Sequence, residues 1–316
     1  MPAKNTRAIT EGGMVVGITV ILSLLGMYVP IISAVAMLVW VVPIAYLGVR
    51  RGMRWSIMAT VATVFILTTL TGPLAATMVG MLLGTMAIAL GEGFRQKWSA
   101  SRLLLVTTLI FLLGFVVEYT LVLSVMGVNI IDSYFQMWTQ SYDGAYQVLS
   151  GVGMNEVQLA QSKNLFADQL LQLRKLVPFL VVFSGLTFSY LEILVTRLTL
   201  KRLQVEVPKF SPAAEWEMPR ITLYIYVVAM LVEYFGASYH PWIVTAAMNI
   251  KVACMYIILI QGVAVLFWAA RKYPMVHAVK WIILVGAFFM PPLLTILFLI
   301  GLFDMGIGYR KKKGYQ

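Results

Sequence analysis

The chain has 316 residues, of which 60% are hydrophobic and 12% charged, with a mean hydropathy of +0.87 and a formal net charge of +11. Such a composition argues against two soluble domains and for one polytopic membrane domain, 1–316, made of a six-span core (1–202) followed by additional spans and a basic tail (203–316). The positive charge does not call for nucleic acid, because Lys and Arg cluster at the ends of apolar runs, where they set orientation; the lone Cys254, inside an apolar segment, excludes disulfides and multi-cysteine metal sites.

The opening MPAKNTRAITEGG has no A-x-A-like cleavage site, so a mature cytoplasmic start is expected. Apolar runs of ~20 residues follow at 13–29, 31–49, 55–72, 73–91 and 103–127, separated by Pro30, Arg50-Arg51, Gly72-Pro73 and Arg95/Lys97. Lys4 and Arg7, then Arg50, Arg51 and Arg54, then Arg95, Lys97 and Arg102 alternate with uncharged turns at 29–30 and 72–73, which places the N-terminus in the cytoplasm. Residues 128–173 carry Asp132, Asp143, Glu156 and Asp168 against Lys163, with Tyr134, Phe135, Trp138, Tyr142 and Tyr146, and belong outside. From Asn155, an N-cap candidate, Val157, Ala160, Ala167, Leu170 and Leu171 fall at helical spacing and predict an amphipathic helix on the outer face.

A sixth span, 177–200, ends at Lys201-Arg202, and a cytoplasmic connection with Pro208, Pro212 and Pro219 follows. Spans at 220–236 and 242–270 are joined by a short outer turn. The last run, 281–303, is interrupted by Pro291-Pro292 before the basic tail Arg310 to Lys313. Nine full crossings would place those basic residues outside, whereas a re-entrant last segment returns them to the cytoplasm, which we expect. The fold class is therefore an all-α polytopic transmembrane helix bundle of eight or nine membrane segments. Small residues repeat every four positions at Ala76, Gly80 and Gly84 and at Gly13 and Gly17, which is the spacing of internal helix packing or of a docking face for a membrane subunit.

The span at 242–262 is polar on both faces: Asn249 shares one with Tyr256, and Lys251 points the other way with Gln261 at its flank. A charge near the bilayer centre costs about 2.5–3.5 kcal/mol, so this helix should sit inside the bundle. At ~1.5 Å per residue, Glu118 lies roughly 24 Å from Arg102, Glu233 roughly 20 Å from Arg220 and Lys251 roughly 15 Å from Pro241, all in the outer half. Glu192 lies in the inner half, with Arg197 one turn on to pair with it or to snorkel. Intramembrane ionisable groups mark a functional site or serve as interior ion pairs. As a ligand set we read Glu118, Tyr119, Glu233, Asn249, Lys251 and Tyr256; for Lys251 either Glu233 or Glu118 is the expected partner. His240 and His277 fall on opposite predicted sides. No catalytic group, metal cluster or cofactor is expected, for G-x-G-x-x-G, G-x-x-x-x-G-K-[ST], G-x-S-x-G and C-x-x-C are all missing from the sequence.

With these residues laid out, the chain resembles the YybS-like family of bacterial multi-pass membrane proteins. The resemblance rests on ITEGGMVVGITVILSLLGMYVP, on Trp216 and Pro219, on Asn249, Tyr256 and Gln261-Gly262, and on Gly301-Leu-Phe-Asp304 with Arg310. The six spans up to Arg202 are also similar in size and N-terminal character to the substrate-capture subunits of energy-coupling-factor transporters. That likeness implies capture of a vitamin or metal near the outer side and docking through Gly13 and Gly17, while the spans after 202 depart from the pattern. Two readings follow for a bacterial cytoplasmic-membrane protein in contact with the bilayer. One is a solute-binding or transport subunit that takes a small polar solute in the outer half and relies on separate energising subunits; the other is an envelope scaffold whose polar residues hold helices together and whose outer loop binds another protein.

Overall fold

The computed structural model describes residues 2–152, 155–207, 211–236, 240–272, 276–308 and 310. All regular structure among them is helical: α1 (Pro2–Tyr28), α2 (Pro30–Arg51), α3 (Met53–Thr71), α4 (Pro73–Val79) continuing through a π turn into α5 (Thr85–Arg95), α6 (Ala100–Met126), α7 (Ile130–Gly151), α8 (Glu156–Lys175), α9 (Val177–Arg202), a 3-10 turn (Ala213–Glu215), α10 (Ile221–Phe235), α11 (Pro241–Lys272), α12 (Val276–Phe289) and α13 (Pro291–Ile307). Seven described helical stretches are long and apolar enough to cross a membrane, and eight if the bent pair α12–α13 counts as one span. With 15 residues, α10 reaches only about 23 Å, short of a ~30 Å hydrocarbon core. The exposed surface carries many large apolar side chains, Phe65, Leu113 and Val116 among them, a coat suited to lipid rather than water. The protein is an integral, multi-pass, all-α membrane bundle.

Helices α3 and α4 are separated by Gly72, whose φ of +91° only glycine adopts without strain, and Pro73 then opens α4 with its φ already helical. The chain falls into two compact units, Met1–Lys163 with Val181–Lys209, and Asn164–Leu180 with Phe210–Gln316.

In the first unit the fully buried Trp40 donates its indole N–H to Ser23 Oγ at 2.6 Å, pinning α2 to α1. Helices α2 and α5 approach closest at Gly48 and Gly91, where a Cβ on Gly91 would stand 2.9 Å from the Ala45 carbonyl oxygen. The stripe Ala76, Gly80 and Gly84 is buried against the chain's own α3: a Cβ on Gly80 would meet Val64 at 2.3 Å and one on Gly84 would meet Thr60 at 2.5 Å. That corrects its reading as a subunit-docking face, because α3 already fills it. Gly13 and Gly17 are exposed, and a Cβ there would meet nothing within 4 Å.

Two expectations for the outer loop change. Residues 130–151 form α7, begun by Asn129, whose side chain accepts the Asp132 N–H at 3.1 Å; the aromatic-rich composition hid the helix. Asn155 does receive the Val157 N–H, at 2.9 Å, but the more buried face of α8 runs through Leu159, Phe166, Leu170 and Leu173, while Val157, Ala160, Ala167 and Leu171 are exposed.

In the second unit α13 crosses α11 where Gly262 meets Gly301. A Cβ on Gly262 would lie 1.9 Å from the Leu297 carbonyl oxygen, and one on Gly301 2.0 Å from that of Ile258, so the backbones touch. The axes of Val279–Ala287 and Pro291–Ile307 differ by 114°. Pro291 and Pro292 supply the break, since neither can donate to the preceding turn.

Candidate functional site

The three intramembrane polar residues of α11 have different employments. Asn249 joins the end of α8 to the start of α9: its Oδ1 accepts the Phe179 N–H at 2.8 Å, and its Nδ2 donates to the Lys175 and Thr245 carbonyls, each at 2.8 Å. Tyr256, on the same face, packs its ring 5.3 Å from that of Phe179. On the other face Lys251 Nζ stands 2.6 Å from Glu233 Oε2, both side chains 28% exposed. The approach is out of line for a hydrogen bond, so the contact is an ion pair.

Gln261 belongs to a third arrangement. Its Oε1 accepts the Met218 N–H at 2.8 Å, and its Nε2 donates to Asp304 Oδ2 at 2.7 Å. Asp304 also receives Arg310 Nε at 2.8 Å and the Arg310 backbone N–H at 3.1 Å. The guanidinium then donates to the Ala214 and Trp216 carbonyls, both at 2.9 Å. The Arg310 and Asp304 side chains are 4% and 6% exposed, so this is a buried, multiply hydrogen-bonded ion pair of the kind that is destabilising to break from one side. A small pocket of about 40 Å³ opens among Glu217, Arg220, Gln261, Asp304 and Arg310, room for roughly one water. Arg310 thereby ties the residue just after α13 to the 3-10 turn that precedes α10.

The members of the expected outer-half ligand set fall in both units, and within the second they divide between two faces of α11. Glu118 and Tyr119 are half-buried in the first unit; Glu233, Asn249, Lys251 and Tyr256 belong to the second, where Asn249 with Tyr256 and Lys251 with Glu233 face different neighbours. Linear depth along a helix says nothing about azimuth, and azimuth separates Asn249 and Tyr256 from Lys251. Lys251 takes Glu233 as its partner. The side chain of His277 lies outside the described residues, and among those described no group of three His, Cys, Asp or Glu is placed to hold a metal.

One group stands apart. Glu192, on α9, is fully buried, and neither carboxyl oxygen has a hydrogen-bond partner in the protein, so of the two alternatives for Arg197 a hydrogen bond to Glu192 is not made. Ser189 and Thr196, one turn to either side, are equally buried, and their hydroxyls are equally unpartnered. Together with Gly185, Ile193 and Leu200 they form the buried stripe of α9. The signal was present in the sequence as polar residues at i, i+3 and i+7 of an apolar span, but a single carboxylate near an arginine reads first as a pair.

Comparison with known proteins agrees with this architecture. The chain belongs to the family described as "Predicted membrane protein (DUF2232)", which matches residues 17–305. It is 27% identical over 314 residues to the uncharacterized protein YybS of Bacillus subtilis (strain 168), a match that covers 98% of this chain and 99% of that one. No solved structure matches. The residues that carried the YybS-like resemblance after position 202 all fall in the second unit, and Trp216, Gln261, Gly262, Gly301, Asp304 and Arg310 meet there in the arrangement around the buried ion pair.

Proposed function

We propose that this member of the predicted-membrane-protein family is a solute-binding or transport subunit of the bacterial cytoplasmic membrane, with the six-span first unit as its working part. Its N-terminus and basic tail lie in the cytoplasm, and its drive comes from separate subunits or from an ion gradient, since the sequence encodes no nucleotide-binding motif. The observation that carries the reading is Glu192: a fully buried carboxyl left without a protein partner is a burden on the fold, and such burdens concentrate at working sites. In the second unit the polar groups of α11 are already engaged, so the outer-half set is not where we place the solute.

The envelope-scaffold reading has its own support in the closed Gln261–Asp304–Arg310 arrangement and in the Asn249 junction, both of which hold helices together. Untargeted metabolite analysis of the detergent-purified protein separates the two. A small polar solute that accompanies the wild type and is depleted from Glu192→Gln supports the transport reading. The same small-molecule content in both proteins overturns it in favour of the scaffold.

A further inference from the structure

Helix α7 has no buried residue, although it is rich in aromatic and aliphatic side chains. At 100° per residue those side chains sort into three sectors. Tyr134, Met137, Trp138, Ala145, Val148 and Leu149 share a sector of about 120°, interrupted by the polar Ser141 alone, and all six are exposed. Phe135, Tyr142 and Tyr146 make up the next sector and are half-buried. That side is engaged by α8: the Tyr142 and Ser162 hydroxyls share a hydrogen bond of 2.8 Å, and Lys163 lies 5.4 Å from the centre of the Tyr146 ring and 3.7 Å from Asp143. The third sector is polar, with Gln136, Gln140, Asp143 and Gln147. The uncovered sector continues the apolar coat of a span. Leu123, Val125 and Met126 at the end of α6, and Val128 in the link, are 41–70% exposed, and Asn129 then caps α7.

We propose that α7 is an interfacial helix, lying along the membrane surface at which α6 ends with this sector sunk in the lipid headgroup region. By the alternation of basic turns that surface is the outer one. Four features select lipid rather than a protein partner. The sector carries no charge, while Asp132 and Asp143 fall in the polar one. Its aromatic members are Tyr134 and Trp138, whose apolar rings and polar tips suit the boundary between headgroups and acyl chains. The lipid-facing coat of α6 runs into it through Val128, and the link of residues 127–129, about 14 Å at full stretch, keeps the first turn of α7 at the surface. Finally, α7 is about 33 Å long, and standing in water it would leave Trp138, Val148 and Leu149 wet, whereas lying down covers them all. Residues 130–151 contain no Lys, Arg or His, so the attachment draws on apolar burial and needs no anionic lipid. Held this way, α7 turns its glutamine sector outward. None of this depends on Glu192 or on a solute.

The test places a nitroxide spin label on single cysteines along α7, in a Cys254→Ser background, in the full-length protein reconstituted into phosphatidylcholine vesicles. Collisions of the label with molecular oxygen, which concentrates in lipid, and with a water-soluble nickel chelate report its surroundings. Oxygen should dominate at Tyr134, Met137, Trp138, Ala145 and Val148, and the chelate at Gln136, Gln140 and Gln147, so that the two accessibilities oscillate in opposite phase with a period of about 3.6 residues. All eight positions are exposed, so the labels displace no packed side chain, and circular dichroism of each labelled protein checks that its helix content is unchanged. Chelate access at the apolar positions equal to that at the glutamines would put the sector in water and overturn the proposal. Low access to both reagents there would mean that protein covers the sector, a second copy if labels at Trp138 broaden each other's spectra, and would overturn the lipid assignment. The labels read surroundings and not transport, so this result and the depletion of a solute from Glu192→Gln stand or fall separately.

Discussion

Replacing Arg310 with methionine should unlock the second unit. The guanidinium donates to Asp304, to the Ala214 carbonyl and to the Trp216 carbonyl at 2.8–2.9 Å, and methionine keeps most of the aliphatic volume while removing all three bonds. Asp304, only 6% exposed, would be left as a buried charge with Gln261 and a backbone N–H as its remaining donors. Removing one partner of a buried pair costs about 3–5 kcal/mol, which at about 2–4 °C per kcal/mol for a domain of this class lowers the melting temperature by roughly 6–20 °C. The assay is thermal unfolding in detergent by intrinsic fluorescence, alongside limited proteolysis of the 203–220 connection, which should be cut sooner in the variant. In the double variant Asp304→Asn/Arg310→Met the losses should fall short of additive by about 1–3 kcal/mol, because the second change removes the stranded charge. A melting temperature within 2 °C of wild type, or strict additivity, would refute the reasoning.

Three further outcomes follow from the same geometry. Lys251→Ala should lower stability less than Arg310→Met does, and a cycle with Glu233→Gln should show coupling of about 1 kcal/mol, while Lys251 and Glu118 should be additive; coupling to Glu118 instead would reassign the pair. Gly301→Ala forces a Cβ to within 2.0 Å of the Ile258 carbonyl oxygen, so folded yield or melting temperature should drop by the equivalent of at least 1–3 kcal/mol, about the size of ordinary overpacking; Gly17→Ala, with open space around it, should be neutral, and equal effects at the two sites would contradict the packing described. Reporters fused after Arg54, after Lys201 and after Arg310 should all read cytoplasmic and one inserted near Asp143 external; an external reading after Arg310 would contradict the return of the last segment to the cytoplasm.

The helical runs were legible because hydrocarbon leaves few alternatives, and Arg50-Arg51, Gly72-Pro73 and Lys201-Arg202 mark their ends in the sequence itself. The opposed faces of Asn249 and Lys251 were legible too, since 100° per residue fixes them before any partner is known. The partners were not. The bonds of Asn249 to Lys175 and Phe179 span 74 and 70 residues, and those of Gln261 to Met218 and Asp304 span 43 each, distances over which spacing carries no geometric information. Four-residue repeats of small residues likewise announce close packing without saying against what, which is why Gly80 and Gly84 turn out to face α3 while Gly13 and Gly17 lie open. The course of the last segment depended on a bend beside Pro291-Pro292 that composition cannot distinguish from a kinked crossing.

The central claim is that Glu192 serves function at the expense of the fold, in contrast to Asp304 and Arg310, which hold the fold together. The melting temperature of Glu192→Met tests it most directly. Methionine fills a similar volume and removes two buried oxygens that have no protein partner, a gain of about 1–3 kcal/mol, so the variant should melt roughly 2–12 °C above wild type. A melting temperature below that of wild type would show that Glu192 is a structural residue with a partner, and would contradict the account.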